Sequence, residues 1–496
     1  MRRNKHIAVI GAGFAGLSAA AYLGRAGYQV SLFEKNTDIG GRARQILTVN
    51  GYVFDMGPSW YWMPDVFERF FKDFDSKPAD FYHLTRLDPQ YAIIFGKEDQ
   101  LQVPASIAAI SRMFENMEGG AAEQLDHFLR EAAYKYRTGV HKLVYKPGLS
   151  LLEFADAELV RGIFRLQVFT SLSRHVQKHF RHPHLRALME FPALFLGAMA
   201  ADTPALYSLM NYAGLATGTW YPQGGFGKVI DAMKTVAARE GVRFYTNEAV
   251  DGFEFHKHKI SMVITARNRY AVDGVIGAAD YHHIDQQLLP AQYRNYTPAY
   301  WKKRVMAPSA LIFYIGVRKE ISRLMHHNLF FDESMEAHGR EIYKEPKWPS
   351  KPLFYVCCPS KTDPAVAPEG HENIFILMPL AADLEDTDEL RQRYFEQIMG
   401  RLEKYCGQDI RTHIDYQQSY CVNDFISDYN SFGGNAYGLA NTLKQTAILK
   451  PSVRNKKLGN LFFAGHLTVP GPGVPPAIIS GNVAADQLRN YLETDL

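Results

Sequence analysis

Lys5–Arg44 reads KHIAVIGAGFAGLSAAAYLGRAGYQVSLFEKNTDIGGRAR. Ile7-Ala8-Val9-Ile10 is a short apolar run suited to a buried parallel strand. It leads into Gly11-Ala12-Gly13-Phe14-Ala15-Gly16, then into a helix of small residues, Leu17 to Arg25, which Gly27 stops. A second strand, Gln29 to Phe33, ends at Glu34. In a strand–turn–helix of this pattern Gly11 makes the tight turn, Gly13 lets backbone approach a pyrophosphate, and Gly16 lets helix and strand pack closely. The helix N-terminus offers free N–H groups and the positive end of a dipole to phosphate. Glu34, 18 residues past Gly16, accepts hydrogen bonds from a ribose and repels a 2′-phosphate. The stretch therefore predicts an adenine dinucleotide site that disfavours NADP. Gly40-Gly41-Arg42 follows six residues after that acid, an addition that nicotinamide dehydrogenases do not need.

The 496 residues suffice for two or three domains with full cores. Hydrophobic content of 47% and charged content of 22% belong to a folded chain rather than a disordered one, and a net charge of +3 gives no signature for nucleic acid. Cys357, Cys358, Cys406 and Cys421 contain no C-x-x-C and no zinc-ligand spacing, which points to a reducing compartment and no structural metal. Met1-Arg2-Arg3-Asn4-Lys5 resembles a signal-peptide start, but the apolar run after it is short and belongs to the glycine fingerprint. No apolar run reaches the ~18 residues needed to span a bilayer. These features predict a cytosolic protein or one lying on a membrane surface.

Further along, Gln45 to Asp55 alternates as two strands around a two-residue Asn50-Gly51 turn. Asp65 to Phe74 has helical apolar spacing. Residues 76–220 carry mainly helical patterns. Within them, Arg161 to Arg186 holds Arg161, Arg165, Arg174, Lys178, Arg181 and Arg186, with Phe164, Leu166, Val168, Phe169, Leu172, Val176 and Phe180 interspersed and no acid. This is either a solvated basic face or an interfacial helix drawn to anionic lipid. His175, His179, His182 and His184 have no carboxylate or cysteine nearby in sequence and are not read as metal ligands. Dinucleotide-domain patterning returns with a helix from Phe226 to Glu240, strands at Val242–Thr246 and Ala271–Ala278, and a hairpin over Phe253–Ala266. Residues 290–430 contain apolar strands at Ala310–Val317 and Leu353–Cys357. A last strand, Leu458 to Gly465, precedes a proline–glycine loop and a helix from Ala477 to Tyr491. The chain thus divides into a discontinuous dinucleotide domain (1–75, 221–290 and 431–496) and a second domain from the inserts 76–220 and 291–430.

Gly40-Gly41-Arg42 resembles the loop along the FAD diphosphate in the superfamily of amine oxidases, carotenoid desaturases and Rab GDP dissociation inhibitors. Over nearly the whole chain the resemblance is to bacterial phytoene desaturases of the lycopene-forming type. Asp55-Met56-Gly57-Pro58-Ser59 resembles that family's Asp-x-Gly-Pro-Ser loop, and Trp220-Tyr221-Pro222-Gln223-Gly224-Gly225 its Pro-x-Gly-Gly element. Asn435-Ala436-Tyr437-Gly438 is similar to the segment before the last strand. Ala464-Gly465-His466 with Pro470-Gly471-Pro472-Gly473-Val474-Pro475 resembles the closing motif. The resemblance implies an α/β fold: a Rossmann-like FAD-binding domain of the amine oxidase/GDP dissociation inhibitor-like superfamily, with an inserted α+β substrate domain. It implies FAD held by Gly11, Gly13, Phe14, Ala15, Gly16, Glu34, Lys35, Gly40, Gly41, Arg42, Gly57, Pro58, Ser59, Val250, Gly465, Gly473, Val474 and Pro475. No cysteine follows Gly465, so the flavin is expected to be noncovalent.

The activity so implied is successive dehydrogenation of phytoene to lycopene: two hydrogens leave adjacent carbons, one of them allylic, and the flavin takes a hydride. The partners are a C40 hydrocarbon, the membrane surface at the inner face of the cell membrane, and quinone or oxygen as electron acceptor; no nucleic acid is involved. In this light the basic stretch becomes a docking face, and Phe191–Ala201, centred on Phe195-Leu196-Gly197, an apolar tunnel wall. The proton that follows the hydride is acidic enough that no dedicated base is required. Asp280, His282, His283 and His466 are the candidates if one exists; the other roles open to them are helix N-cap for Asp280, turn residues for the two histidines, and flavin-pocket donor for His466. A hydroxycarotenoid 3,4-desaturase, a C30 diapophytoene desaturase, a flavin amine oxidase and a prenyl-binding protein without catalysis stay open as alternatives, the last disfavoured by the intact Gly11–Arg42 fingerprint.

Overall fold

The computed structural model describes residues 5–150, 153, 167 and 169–494. The strand His6–Ile10 (β1) is central in a five-stranded sheet in the order Leu461–Phe463, Gly274–Gly277, β1, Gln29–Phe33 (β2), Arg243–Tyr245, and every pairing is parallel. Apolar runs buried on both faces are what a parallel sheet demands. Register brings Ile10 beside Phe33 and Gly277, and Gly277 beside Phe463. Gly11, Glu34, Ala278 and Ala464 therefore leave the sheet along one carboxyl edge, where ligands of parallel sheets bind.

The helix Phe14–Arg25 (α1) follows the glycine loop and packs against the C-terminal helix, Val474–Thr494. A Cβ at Gly481 would lie 2.3 Å from the Ala15 carbonyl oxygen, so the two helices meet backbone to backbone. Ser18 Oγ donates to Ile478 O across the same seam at 2.7 Å.

A second, seven-stranded sheet runs in the order Ile414–Tyr420, Ser309–Val317, Glu372–Leu380, Phe354–Cys357, His327–Phe330, Tyr91–Ile94, Gln100–Val103. All its pairings are antiparallel except that of His327–Phe330 with Tyr91–Ile94. Alternation along Ser309–Val317 decides what each face covers. Leu311, Phe313 and Ile315 pack on one side with Ile398, Met399 and Leu402 of the helix Asp388–Cys406, while Ala310, Ile312 and Tyr314 face the main core.

Three expectations need correction. Residues 76–220 are not mainly helical at their start: Leu84–Arg86, Tyr91–Ile94 and Gln100–Val103 are strands. Tyr91–Ile94 is a short apolar run whose parallel partner lies more than 230 residues away, and such pairing leaves no local periodicity. The Asn50-Gly51 connection is longer than a two-residue turn. Thr48 N donates to Tyr52 O and Gly51 N to Thr48 O, with Gly51 left-handed at φ +86°, the pattern of a longer hairpin loop. The helix of the basic stretch turns its apolar residues inward rather than toward lipid. Leu172, Val176 and Phe180 are fully buried against the core, leaving Arg174, Lys178 and Arg181 in solvent with Phe169 beside them, 83% exposed. Arg161, Phe164, Arg165, Leu166 and Val168 lie outside the described residues. All four cysteines are buried and unpaired. Among the described residues no helix is long and apolar enough to cross a membrane.

Candidate active site

One cavity of about 810 Å³ runs from the carboxyl edge of the parallel sheet to the underside of the mixed sheet. Every residue expected to hold the dinucleotide lines it except Gly16. Gly16 sits behind the wall, where a Cβ would come within 1.8 Å of the Gly11 carbonyl oxygen. That is the close helix–strand packing its position predicts. Gly11 is left-handed (φ +98°), and a Cβ there would meet Ala279 N at 2.8 Å. Gly13 differs: a Cβ would find no neighbour nearer than Gly41 Cα at 3.8 Å. The room at Gly13 is on the cavity side.

Glu34 holds this edge together. Its Oε2 accepts the Ala12 N–H at 2.9 Å, and its Oε1 accepts the N–H and the amide of Asn36, each at 3.0 Å. Gly40 N donates to Ala12 O at 2.8 Å, which folds the Gly40-Gly41 loop over the fingerprint. Arg42 Nη2 donates to Ser431 Oγ and Asn435 O, both at 3.1 Å, and its guanidinium lies 4.9 Å from the Tyr429 ring. Its buried Nε has no partner. Lys35 Nζ donates to Ser427 O. Val250 opens the hairpin strand Val250–His256 and is buried on the cavity wall. Gly465 N donates to Ser480 Oγ at 2.9 Å, and Gly473 precedes the C-terminal helix, with Val474 and Pro475 in its first turn. Both glycines are left-handed, at φ +114° and +112°.

At its other end the cavity is apolar. Trp60, Trp62, Phe191, Leu194 and Leu196 form one wall, and Ala310, Ile312 and Leu329 of the mixed sheet another. Of Phe191–Ala201, expected as a tunnel wall, Phe191, Leu194 and Leu196 line the cavity; the Phe195 side chain lies outside the described part. Ser59 Oγ and Tyr355 Oη lie 3.0 Å apart, and Tyr355 Oη reaches His327 Nδ1 at 2.6 Å. His327 stacks on Trp60 at 4.1 Å.

Of the four groups named as proton acceptors, Asp280, His283 and His466 line the cavity and His282 does not. Asp280 caps a short helical turn: Oδ1 accepts the His283 N–H at 3.0 Å and Oδ2 the Phe432 N–H at 3.3 Å. Burial pushes its carboxyl up to about 6, against those hydrogen bonds and the nearby Arg42. His282 stacks on Phe432 at 4.0 Å, and burial pushes it down to about 4. His283 is lowered by burial and then by Lys35. His466 is held well below its ordinary value by burial and by the charges of Arg42 and Lys450, and its Nε2 has no hydrogen-bond partner.

Three features escaped the sequence reading. Asp55 ties two motifs together: Oδ2 accepts the Phe226 N–H at 2.8 Å and Oδ1 the Gln45 amide at 2.8 Å. A Cβ at Gly225 would lie 2.6 Å from that carboxylate, which gives the Gly224-Gly225 pair its reason. Lys450 is a buried cation whose Nζ donates to Asn441 Oδ1 at 2.8 Å, and burial pushes it down to about 7. Tyr343 lines the apolar end with its hydroxyl buried and unpartnered, and burial pushes the neighbouring Tyr437 phenol up to about 12. A lone Lys or Tyr in sequence carries no signal for such placement.

Residues 14–489 match the family described as flavin containing amine oxidoreductase. A carotenoid 3,4-desaturase of Haloarcula japonica is 40% identical, with 97% of each chain covered. This chain belongs to the carotenoid desaturases of the flavin-containing amine oxidoreductase family. Within the same carotenoid desaturases, the zeta-carotene-forming phytoene desaturase of Myxococcus xanthus is 28% identical, covering 99% of this chain and 95% of its own. Among solved structures, an oxidoreductase from Methanosarcina mazei superposes with a TM-score of 0.61 at 15% identity, over 97% of this chain and 100% of its own. Putrescine oxidase gives 0.60 at 14%, over 98% and 99%; likenesses at this identity establish the flavin amine oxidase-type fold.

FAD is the cofactor of this family, and the residues present fit it. The first-turn amides of α1 have no intrahelical acceptor and sit at a cavity wall made of glycine backbone. Two buried nitrogens without partners, Arg42 Nε and His466 Nε2, belong to residues of the same wall.

Proposed function

We propose that this carotenoid desaturase introduces a double bond near the end of a linear C40 polyene, the 3,4-desaturation named for its Haloarcula japonica relative. The observation that carries the reading is the continuity of one cavity whose dinucleotide end opens directly into an apolar chamber. We assign the diphosphate to the amides of Gly13, Phe14 and Ala15 with Gly40-Gly41-Arg42, the ribose to Glu34, with Lys35 at the same edge, and the adenine to the backbone at Val250. Gly57-Pro58-Ser59, Gly465 and Gly473-Val474-Pro475 flank the ring system. None of the four cysteines lines the cavity, in keeping with noncovalent flavin. This reading keeps the division into an FAD-binding domain (1–75, 221–290 and 431–496) and a substrate domain (76–220 and 291–430).

When bound, the flavin supplies the hydride acceptor. The chain supplies orientation and dryness. Trp60, Phe191 and Ile312 exclude water and hold an extended polyene against the flavin side, so that its reacting carbons stay at near-attack distance. Asp280 is engaged as a cap, and burial keeps His283 and His466 neutral. The reading therefore assigns no dedicated base, because a proton beside a developing allylic cation is strongly acidic. Substrate arrives from a membrane surface, with exposed Phe169, Arg174, Lys178 and Arg181 at the contact, and electrons pass on to quinone or oxygen.

Phytoene-to-lycopene conversion is the second reading, supported by the phytoene desaturase of Phycomyces blakesleeanus at 30% identity over 98% of this chain. Incubation with phytoene and with lycopene separately, followed by chromatography and mass spectrometry, discriminates the two. Loss of two hydrogens from lycopene with phytoene unchanged is the expected result. Conversion of phytoene with lycopene inert would replace it by the second reading.

A further inference from the structure

The four histidines between His175 and His184 have no carboxylate near them in sequence. Tertiary packing supplies one. The helix Ala121–Thr138 carries His127 and Glu131 four residues apart, hence on one face, and it packs against the helix Leu172–His179, which carries His175 and His179 at the same spacing. Ligand atoms of His127, Glu131 and His179 all lie within 4.8 Å of one another.

We propose that His127, Glu131 and His179 bind a divalent cation of zinc type and clamp these two helices together, with His175 closing the inner side of the site. Two imidazoles and a carboxylate are a zinc donor set, whereas magnesium and calcium favour oxygen throughout. Tetrahedral bonds of this kind bring ligand atoms to about 3.4 Å, a contraction that rotation of the exposed His127 side chain provides.

Three further observations point the same way. His179 Nδ1 lies 3.0 Å from Gln124 Oε1, an acceptor that fixes the proton on Nδ1 and leaves Nε2 free to ligate. Glu131 Oε2 is held from outside by the Gln167 amide at 3.3 Å. His175, 3% exposed at its side chain, makes no hydrogen bond through Nε2, which lies 3.5 Å from Glu131 Oε2. The nearest buried cation, Lys135, is engaged by Gln167 Oε1, Ala205 O and Ser208 Oγ.

The clamp bears on the cavity, because the helix Ala121–Thr138 runs on into the turn bearing Val140, a lining residue. It is independent of the flavin and of the reaction assigned above.

The test uses untagged full-length holoprotein, stripped with chelator and then dialysed against zinc alone. Metal content and thermal unfolding are measured. One zinc per chain and a rise in melting temperature of about 3 °C or more are expected, both lost in His127→Gln and in His179→Ala. His127 is exposed, so H127Q should fold with or without metal. No stoichiometric zinc in the wild type, or zinc retained equally by both variants, would overturn the proposal.

Discussion

Gly13 and Gly16 stand three residues apart and face opposite ways. At Gly16 a methyl would collide with the Gly11 carbonyl, so Gly16→Ala is expected to destabilise the fold by about 1–3 kcal/mol and to lower the melting temperature with or without FAD. At Gly13 the chain itself has room for a methyl, and the space removed is the diphosphate's. Gly13→Ala should therefore keep its melting temperature in the apoprotein while FAD affinity falls at least tenfold by fluorescence titration. Equal loss of stability in both variants would contradict this division of labour. Lys450 yields a pH prediction. Its folded pKa of about 7 lies below the ordinary lysine value, so between about pH 7 and 10 the unfolded chain binds the extra proton and wild-type stability rises with pH. In Lys450→Met that contribution is gone. The stability of the wild type relative to this variant should accordingly increase from pH 7 to 10, measured by urea unfolding, and stay level below pH 6.

At the scale of elements, the Asp55 carboxylate joins the end of the first hairpin to the start of the helix Phe226–Arg239. Asp55→Ala removes an acceptor for a first-turn N–H and should cost about 0.5–2 kcal/mol, seen as a lower urea midpoint; an unchanged midpoint would mean the contact is energetically idle. Elements whose logic is local were legible beforehand. The strand, glycine loop, helix and second strand from His6 to Phe33 read correctly because every turn residue and apolar position lies within thirty residues of the others. Tyr91–Ile94 was hidden because its partner is His327–Phe330, and only that pairing makes it a strand. The carboxylate beside His175 was hidden for the same reason, since Glu131 belongs to a helix some forty residues earlier. Lys450 and Tyr343 owe their character to burial, which a single residue letter does not carry.

At the scale of the molecule, two sheets meet over one cavity. The parallel sheet contributes the polar, glycine-lined end and the mixed sheet the apolar end. That union ties flavin chemistry to an apolar substrate, since Trp60, Phe191 and Ile312 wall the chamber. The direct measurement is anaerobic. Holoprotein is mixed with liposomes carrying a linear C40 carotene, the visible flavin absorption is followed, and the pigments are extracted. The account predicts bleaching of the flavin matched by a product two hydrogens poorer and absorbing at longer wavelength. Bound FAD that stays oxidised with every polyene but bleaches with an amine would contradict it.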